Sequence, residues 1–386
     1  MKNAVVLGAL FGDEGKGATV QWLCRQAIDT VGKSNVEVTK LNGGSQAGHT
    51  IMNNTTTHIC SSIGAGCLLD VPTFYNYNFI MDPICLVKEL LTLNKAGYYP
   101  KIYLNSSNMV TTPYDVWFNQ HDEDTIADGT CGKGINATYT RYINPKTGTI
   151  YPGISWPSLR EALTNPEEYL ELVSNYYTKV DTSFNDMFIK ACEALRRNNN
   201  VRFLSYPSYK FNIYEGAQGL LLDKDRGFNP NTTPSNTGLL NISPAKLYDG
   251  LDVYLVCRTY LTRHGNGYIP KPFSRGNEPV ITNETNVTNQ WQGDFKIGVM
   301  DFDLLNRAID RHCLDNYPNI RYHIVVTHID SFVDKCSFYE YRYDKRHNYT
   351  GATLDSIMRV FKESIHLPIT NWYYSDNPYS IIKKWN

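Results

Sequence analysis

The sequence predicts an α/β fold: a mostly parallel, doubly wound central sheet with long functional loops, entered through a P-loop-like strand–loop–helix. Three observations predict it. Apolar, β-like runs alternate with segments of helical spacing along the chain. The first run ends in a glycine-rich turn that leads straight into a helical pattern. Two stretches rich in Gly, Asn, Thr and Pro are too long to be idle connectors.

The elements follow in order. Residues 4–11, AVVLGALF, read as a buried strand, and ATVQWLCRQAI after the turn reads as a helix. VEVTKL, KIYL, YKFNIYEG, LDVYLVCRTYL and YHIVVTHID read as further strands. PICLVKELLTL, SFNDMFIKACEALRRN and DLLNRAIDRHCL carry helical spacing. The long loops fall at about 105–160 and 264–300. No repeat or flexible linker interrupts the pattern, so residues 1–386 read as a single domain.

Composition excludes several classes. The chain carries 37 Lys+Arg against 38 Asp+Glu, a net charge of -1. That argues against a basic nucleic-acid-binding surface and against a polyanionic tail. Hydrophobic content of 42% argues against disorder. No apolar run approaches the roughly 20 residues a membrane helix needs. The apolar start breaks at once into Gly, Asp and Glu, unlike a signal peptide. Nine cysteines stand at long spacings without a Cys-x-x-Cys pair. They imply reduced, mostly buried thiols in a cytoplasmic protein rather than a disulfide or zinc framework.

The chemistry starts after the first strand, at Gly8-Ala-Leu-Phe-Gly12-Asp13-Glu14-Gly15-Lys16-Gly17. Glycines let backbone N–H groups approach phosphate oxygens, and the following helix offers its positive end to the same anion. Lys16 adds a point charge for the phosphates. The standard P-loop spacing fails twice: Gly8 is too far from Gly15-Lys16, and Gly17 stands where a Ser/Thr would hold magnesium. A metal would need another oxygen, and Asp13 is the obvious one. The alternative is a glycine-rich turn with no ligand.

This GDEGKG segment resembles the opening of the adenylosuccinate synthetase family, GTP-dependent ligases of purine nucleotide synthesis. Three more segments match in order. Gly43-Gly44-Ser45-Gln46-Ala47-Gly48-His49-Thr50 resembles the family's GGxNAGHT. Glu215-Gly216-Ala217-Gln218-Gly219 through Asp223 resembles EGAQGxxLD, and Asn231 to Thr237 resembles VTSSNT. Weaker echoes occur at Gly129–Ile135, at Thr262-Arg263-His264-Gly265 and at Thr327-His328-Ile329-Asp330.

The resemblance implies a two-step reaction. A 6-oxopurine nucleotide loses its N1 proton while O6 attacks the γ-phosphate of GTP. The amine of L-aspartate then displaces that phosphate at C6. By the resemblance, Asp13 is the base, His49 stabilises the leaving phosphate, Lys16 assists, and Gln218 reads O6 or N1–H. Helix capping is the alternative for Asp13, and a structural role is the alternative for His49 and Gln218. Mg²⁺ would be held by Asp13 and the carbonyl of Gly48. Gln46, Thr130, Cys131, Gln218 and Thr233 match the purine-nucleotide site. Arg141 is the nearest candidate for the arginine that a partner subunit contributes in a homodimer. Gly12, Gly15, Gly17, Asp330, Ser375 and Pro378 match the GTP site. A carboxylate at Asp330 accepts from N1–H and N2–H₂ of guanine together, which adenine cannot offer. Helix capping is the alternative there too.

The aspartate loop departs from the family. Asn286 to Asp301 lacks the family's arginines and keeps only Lys296 as a cation. Thr288, Asn289, Lys296 and Arg263 are left to bind L-aspartate. One lost arginine touches the ribose in the family, which opens dGMP as an alternative substrate, as in virus-encoded relatives. Those relatives tend to replace the base Asp by Ser, whereas Asp13 is kept here. IMP is the first reading and dGMP the second; a catalytically silent nucleotide-binding regulator is the reading of a different class.

Overall fold

A computed structural model of the chain describes residues 3–127, 129–143, 156–177, 184–207, 209–273, 279, 281, 284, 290–312, 317–332, 337–377 and 381–386. In chain order the strands are β1 (Ala4–Gly8), β2 (Val36–Lys40), β3 (His49–Met52), β4 (Thr57–Cys60), β5 (Thr73–Tyr75), β6 (Ile102–Leu104), β7 (Val201–Phe203) and β8 (Phe211–Gly219). There follow β9 (Asp252–Arg258), β10 (Tyr260–Arg263), β11 (Lys296–Asp301), β12 (Arg321–Thr327), β13 (Ser337–Arg342), β14 (Lys345–Thr350), β15 (Asn371–Tyr374) and β16 (Lys383–Trp385). Ten of them form one sheet in the order β16-β15-β12-β9-β1-β8-β2-β5-β6-β7. Every neighbouring pair is parallel except β15–β16 at one edge. The expected doubly wound sheet is therefore the observed architecture. A smaller sheet, β10-β11-β13-β14, and the hairpin β3–β4 lie outside it.

The apolar runs are continuous because both faces of the sheet are covered. Side chains of a strand alternate between faces. On β1, Ala4 and Val6 enter one core, while Val5 and Leu7 enter the other. On β9, Tyr254 and Val256 face the first core and Val253, Leu255 and Cys257 the second. Helices α1 (Lys16–Val31) and α2 (Pro83–Lys95) contribute Leu23, Ala27, Leu86 and Leu90 to the first core. The helices Phe302–His312 and Leu354–Ser364 contribute Leu305, Ile309, Ile357 and Phe361 to the second.

Three expectations are corrected. LDVYLVCRTYL is two strands, β9 and β10, that join different sheets around Thr259. The stretch read as a loop at 105–160 holds the helices Pro113–His121, Glu123–Ala127 and Ile135–Tyr142. The first of these begins at a capping box, with Thr112 and Asp115 satisfying each other's backbone amides.

The third is Arg141, which is not a surface residue offered to a partner subunit. It is fully buried, and its guanidinium grips Asp115 through two contacts of 2.9 Å. It also donates to Val110 O at 2.7 Å and lies 4.6 Å from the Trp156 ring centroid. Tyr177 donates to the same Asp115. This network ties the helix Ile135–Tyr142 to the helices on both sides. Leaving one charge of a buried pair alone costs about 3–5 kcal/mol. Arg141→Ala should therefore lose stability on that scale in urea unfolding. A loss below about 1 kcal/mol, typical of an exposed pair, would put Arg141 outside the core.

Candidate functional site

Ligands of open parallel sheets bind beyond the carboxyl ends of the strands, where the chain direction switches sides. Here β1 is central, with the chain leaving it for β2 on one side and returning through β9 on the other. The loops after β1, β8, β9 and β12 converge there. They build two cavities, one of about 580 Å³ and one of about 130 Å³. Asp13, Lys16, Gly48 and His49 line both, so the cavities meet at these four residues.

The glycine-rich loop is shaped by Glu14. Its carboxylate turns back beneath the loop and accepts from Leu10 N at 3.1 Å and Gly12 N at 2.7 Å. It also pairs with Lys16 Nζ at 2.7 Å, both side chains being buried. A Cβ on Gly8 would stand 2.2 Å from this carboxylate, so only glycine fits there. Gly17 is equally constrained: a Cβ there would meet the Cβ of His49 at 2.9 Å. The missing Ser/Thr thus leaves room for His49 to pack on the first turn of α1. Gly15 caps that helix without a side-chain hydrogen bond, and no acid occupies the first turn. The helix N-terminus is left to an anion.

His49 is oriented by Glu215, which takes its Nδ1 at 2.5 Å and leaves Nε2 for a ligand. Glu215 also pairs with Lys40 at 3.0 Å and accepts from Ala65 N at 2.8 Å. Burial opposes ionisation of Glu215, but Lys40, His49 and the Ala65 amide overcome it and hold its pKa at about 2. Burial pushes His49 below its ordinary value against the pull of Glu215.

The larger cavity brings together Gly12, Gln46, Thr130, Cys131, Gln218 and Thr233 with the four shared residues. Gln218, next to last in β8, has a positive φ of 57°. Its Oε1 and that of Gln46 are buried without a hydrogen-bond partner. Two such acceptors in a roomy polar cavity mark where a ligand's donors belong. Thr130 accepts from Asn119 at 2.7 Å. Arg263 enters from β10, buried, with its guanidinium 4.4 Å from the Phe11 centroid. It donates to the carbonyls of Tyr268 and Asn231 at 2.8 Å each, and its Nε has no partner. No acidic side chain pairs with it among the described residues, and burial lowers its pKa to about 10.

The smaller cavity collects Gly15, Gly17, Asp330 and Ser375 with the shared residues. Lys296 does not line either cavity. Its ammonium instead donates to Gly265 O at 2.6 Å and Gly267 O at 3.1 Å, so it fixes the loop after Arg263. That corrects its reading as a direct carboxylate contact. Thr288, Asn289 and Pro378 lie outside the described residues.

Several site residues escaped the sequence reading. Arg258, ending β9, donates to the carbonyl of Asp13 and pairs with Glu284 at 2.7 Å at the rim of the smaller cavity. His264 Nε2 stands 3.6 Å from the Asp13 carboxylate. His328 is driven well below its ordinary pKa by burial and by Arg258, and lies beside Asp330. Lys224 also lines the larger cavity and reaches Tyr139 OH at 3.2 Å. The signal available for Arg258, His264 and His328 was position at the carboxyl ends of predicted strands.

A glycine-rich loop opening a helix, at the carboxyl edge of a parallel sheet and flanked by two joined cavities, defines an α/β protein with a phosphate-loop-like site. The family model described as adenylosuccinate synthetase matches residues 5–363, and the chain belongs to that family. The adenylosuccinate synthetase of Acaryochloris marina is 30% identical over 298 residues, 70% of this chain and 62% of its own. That of Wigglesworthia glossinidia brevipalpis is 29% identical over 294 residues, 70% of this chain and 65% of its own. These matches thus span just under two thirds of each relative. The fold is similar to fully ligated adenylosuccinate synthetase from Plasmodium falciparum, with a TM-score of 0.72 and 16% identity over 98% of each chain. It is also similar to the succinoaminodeoxyadenylate synthetase of cyanophage S-2L bound to dGMP and dATP. There the TM-score is 0.62 at 15% identity, covering 100% of this chain and 95% of that one.

Glu215 yields a prediction. With its folded pKa depressed from 4.5 to about 2, the unfolded chain binds the extra proton between those values. The stability contributed by Glu215 is complete above about pH 4.5 and lost as pH falls toward 2. Glu215→Gln should remove that acid dependence. It should also cost about 3–5 kcal/mol at pH 7, because Lys40 is left buried without its partner. Urea unfolding from pH 3 to 7 measures both; an unchanged pH slope would contradict the assignment.

Proposed function

We propose that this protein is a GTP- and Mg²⁺-dependent ligase that joins L-aspartate to C6 of a 6-oxopurine nucleotide, with IMP as the first substrate. One observation carries the reading: two cavities meet at Asp13, Lys16, Gly48 and His49 in a chain of this family. A reaction that passes a phosphoryl group between two nucleotides needs such a junction.

The larger cavity takes the purine nucleotide. The unpaired Oε1 of Gln218 or Gln46 accepts from the base, and Thr130, Cys131 and Thr233 lie where the 5′-phosphate would bind. The smaller takes GTP, with phosphates on the α1 N-terminus at Gly15 and Gly17, and guanine at Asp330 and Ser375. Asp13 takes the N1 proton, and O6 forms a bond to the γ-phosphorus as the bond to the β-phosphate oxygen breaks. His264, 3.6 Å from Asp13, is placed to share that proton. His49, oriented by Glu215 through Nδ1, would donate from a protonated Nε2 to the transferring phosphoryl group. The aspartate amine then bonds to C6 as phosphate leaves. The carboxylate of Asp13 and the carbonyl of Gly48 are hard oxygen donors at the junction, which fits Mg²⁺. Bound there, the cation would screen phosphate charge.

The aspartate carboxylates need a cation. Arg263 supplies one, buried in the larger cavity without an acidic partner. Lys296 acts behind it by holding the Gly265–Gly267 carbonyls. We take the chain as one domain that works in the cytoplasm as a homodimer, with no nucleic-acid or membrane partner.

Mass analysis of products from GTP, Mg²⁺ and L-aspartate with IMP, dGMP or GMP tests the proposal. Adenylosuccinate from IMP alone supports it. Product from dGMP alone moves the protein to the deoxyguanylate reaction, which the cyanophage neighbour's ligands make the second reading. No product from any of them leaves a nucleotide-binding regulator.

With turnover established, Asp13→Asn should reduce kcat by about 10²–10⁴-fold with little effect on nucleotide binding. A residual rate above about one hundredth of wild type contradicts a general-base role. Arg263→Gln should raise the KM for L-aspartate by about tenfold or more, or 1.4 kcal/mol, and Lys296→Met by less. If the KM of the purine nucleotide rises instead, Arg263 belongs to that substrate. Asp330→Asn should erase the preference for GTP over ATP in competition; an unaltered ratio removes Asp330 from base recognition.

A further inference from the structure

His58, Cys60 and Cys67 are buried together outside the lining of both cavities, and one ligand atom from each lies within 4.8 Å of the others. Their spacing is no zinc motif in the sequence; the fold assembles it. His58 and Cys60 are two residues apart on β4, so both point inward, as the alternating burial of that strand shows. The turn through Gly64 and Gly66 then brings Cys67 back, with its sulfur 3.7 Å from that of Cys60. A third thiol, Cys24 on α1, comes close to this turn: a Cβ on Gly66 would stand 2.9 Å from its sulfur.

We propose that His58, Cys60 and Cys67 form a structural site for a thiophilic divalent cation, zinc in the first instance. Zn–S bonds of about 2.3 Å in a tetrahedron put two sulfurs about 3.8 Å apart. The observed 3.7 Å meets that without rearrangement. Binding replaces two S–H bonds by two Zn–S bonds and releases two protons. Two thiolates, one neutral imidazole and Zn²⁺ sum to zero charge, which a buried site tolerates.

The outer partners fit as well. A metal-bound histidine commonly gives its other ring nitrogen to a carboxylate. His58 contacts Glu89 through Nε2 at 3.3 Å. Glu89 is itself held by the amides of Ser61, Ser62 and Ile63. The site sits directly behind the nucleotide cavities: Cys60 pairs with His49 across the β3–β4 hairpin. Ala65, between the two cysteines, donates to Glu215. A cation there would fasten the hairpin that carries His49 and the amide that holds its carboxylate partner. The inference does not depend on which purine the protein uses.

The full chain, purified under reducing conditions and stripped with a chelator, is titrated with Zn²⁺ alone and with Co²⁺ alone. We expect one Zn²⁺ per chain and a rise of several degrees in the unfolding midpoint. The Co²⁺ form should show a thiolate-to-cobalt charge-transfer band. Cys60→Ser/Cys67→Ser should lose the band and the stoichiometric metal, and Glu89→Gln should weaken Zn²⁺ binding about 10–100-fold. If the double variant does not fold, the wild-type Co²⁺ spectrum decides, because the band arises only from cysteine ligands. Absence of bound metal, a Co²⁺ form without the band, full binding by the double variant, or recovery of Cys60 and Cys67 as a disulfide would each overturn the proposal.

Discussion

The Glu14 carboxylate, folded back under its own loop, is the interaction on which the cavity-bearing edge of the sheet depends. An acid in the middle of a phosphate loop looks out of place, since it repels the ligand. Its burial resolves that. Glu14 spends its oxygens on Leu10 N, Gly12 N and Lys16 Nζ, so its charge is neutralised inside the protein. The loop it shapes then turns Asp13 outward into both cavities. Backbone groups of the loop are in turn held by distant strands. Thr262 on β10 donates to Gly12 O, Arg258 on β9 to Asp13 O, and Thr327 on β12 to Glu14 O. One local ion pair thus registers three separate strand ends against the first turn of α1.

Much of this was legible in the sequence because it is local or periodic. The apolar runs of β1, β9 and β12 are read from composition alone, since strands covered on both faces need no alternation. The loop motifs are legible because glycine at Gly8 and Gly17 answers a steric demand that no other residue meets. What was not legible depends on contacts across long stretches of chain. Nothing near Arg141 announces that Asp115, 26 residues earlier, will take its charge. Arg in a polar stretch reads as exposed until the helices around it are placed. Lys296 was misjudged for the same reason: register pairs it with Arg263, which turns its ammonium onto the loop beyond. The hairpin β3–β4 was missed because its strands are only four residues each, and β13–β14 because its second strand is mostly polar.

The charges around the junction show a consistent division of labour. Lys16 is matched by Glu14, Lys40 by Glu215, and Arg258 by Glu284. These pairs cost desolvation and add little net attraction for a ligand, so their function is placement. Arg263 differs, because among the described residues its guanidinium meets carbonyls and an aromatic face and no acid. A cation held that way has already lost its water and keeps its full charge for an incoming anion. Burial depresses the pKa of Arg263, and a carboxylate arriving in the larger cavity would oppose that shift. The loss of arginines from the aspartate loop therefore does not leave the cavity without positive charge. The charge of Arg263 sits at the end of β10, where backbone pairing with β11 fixes its position.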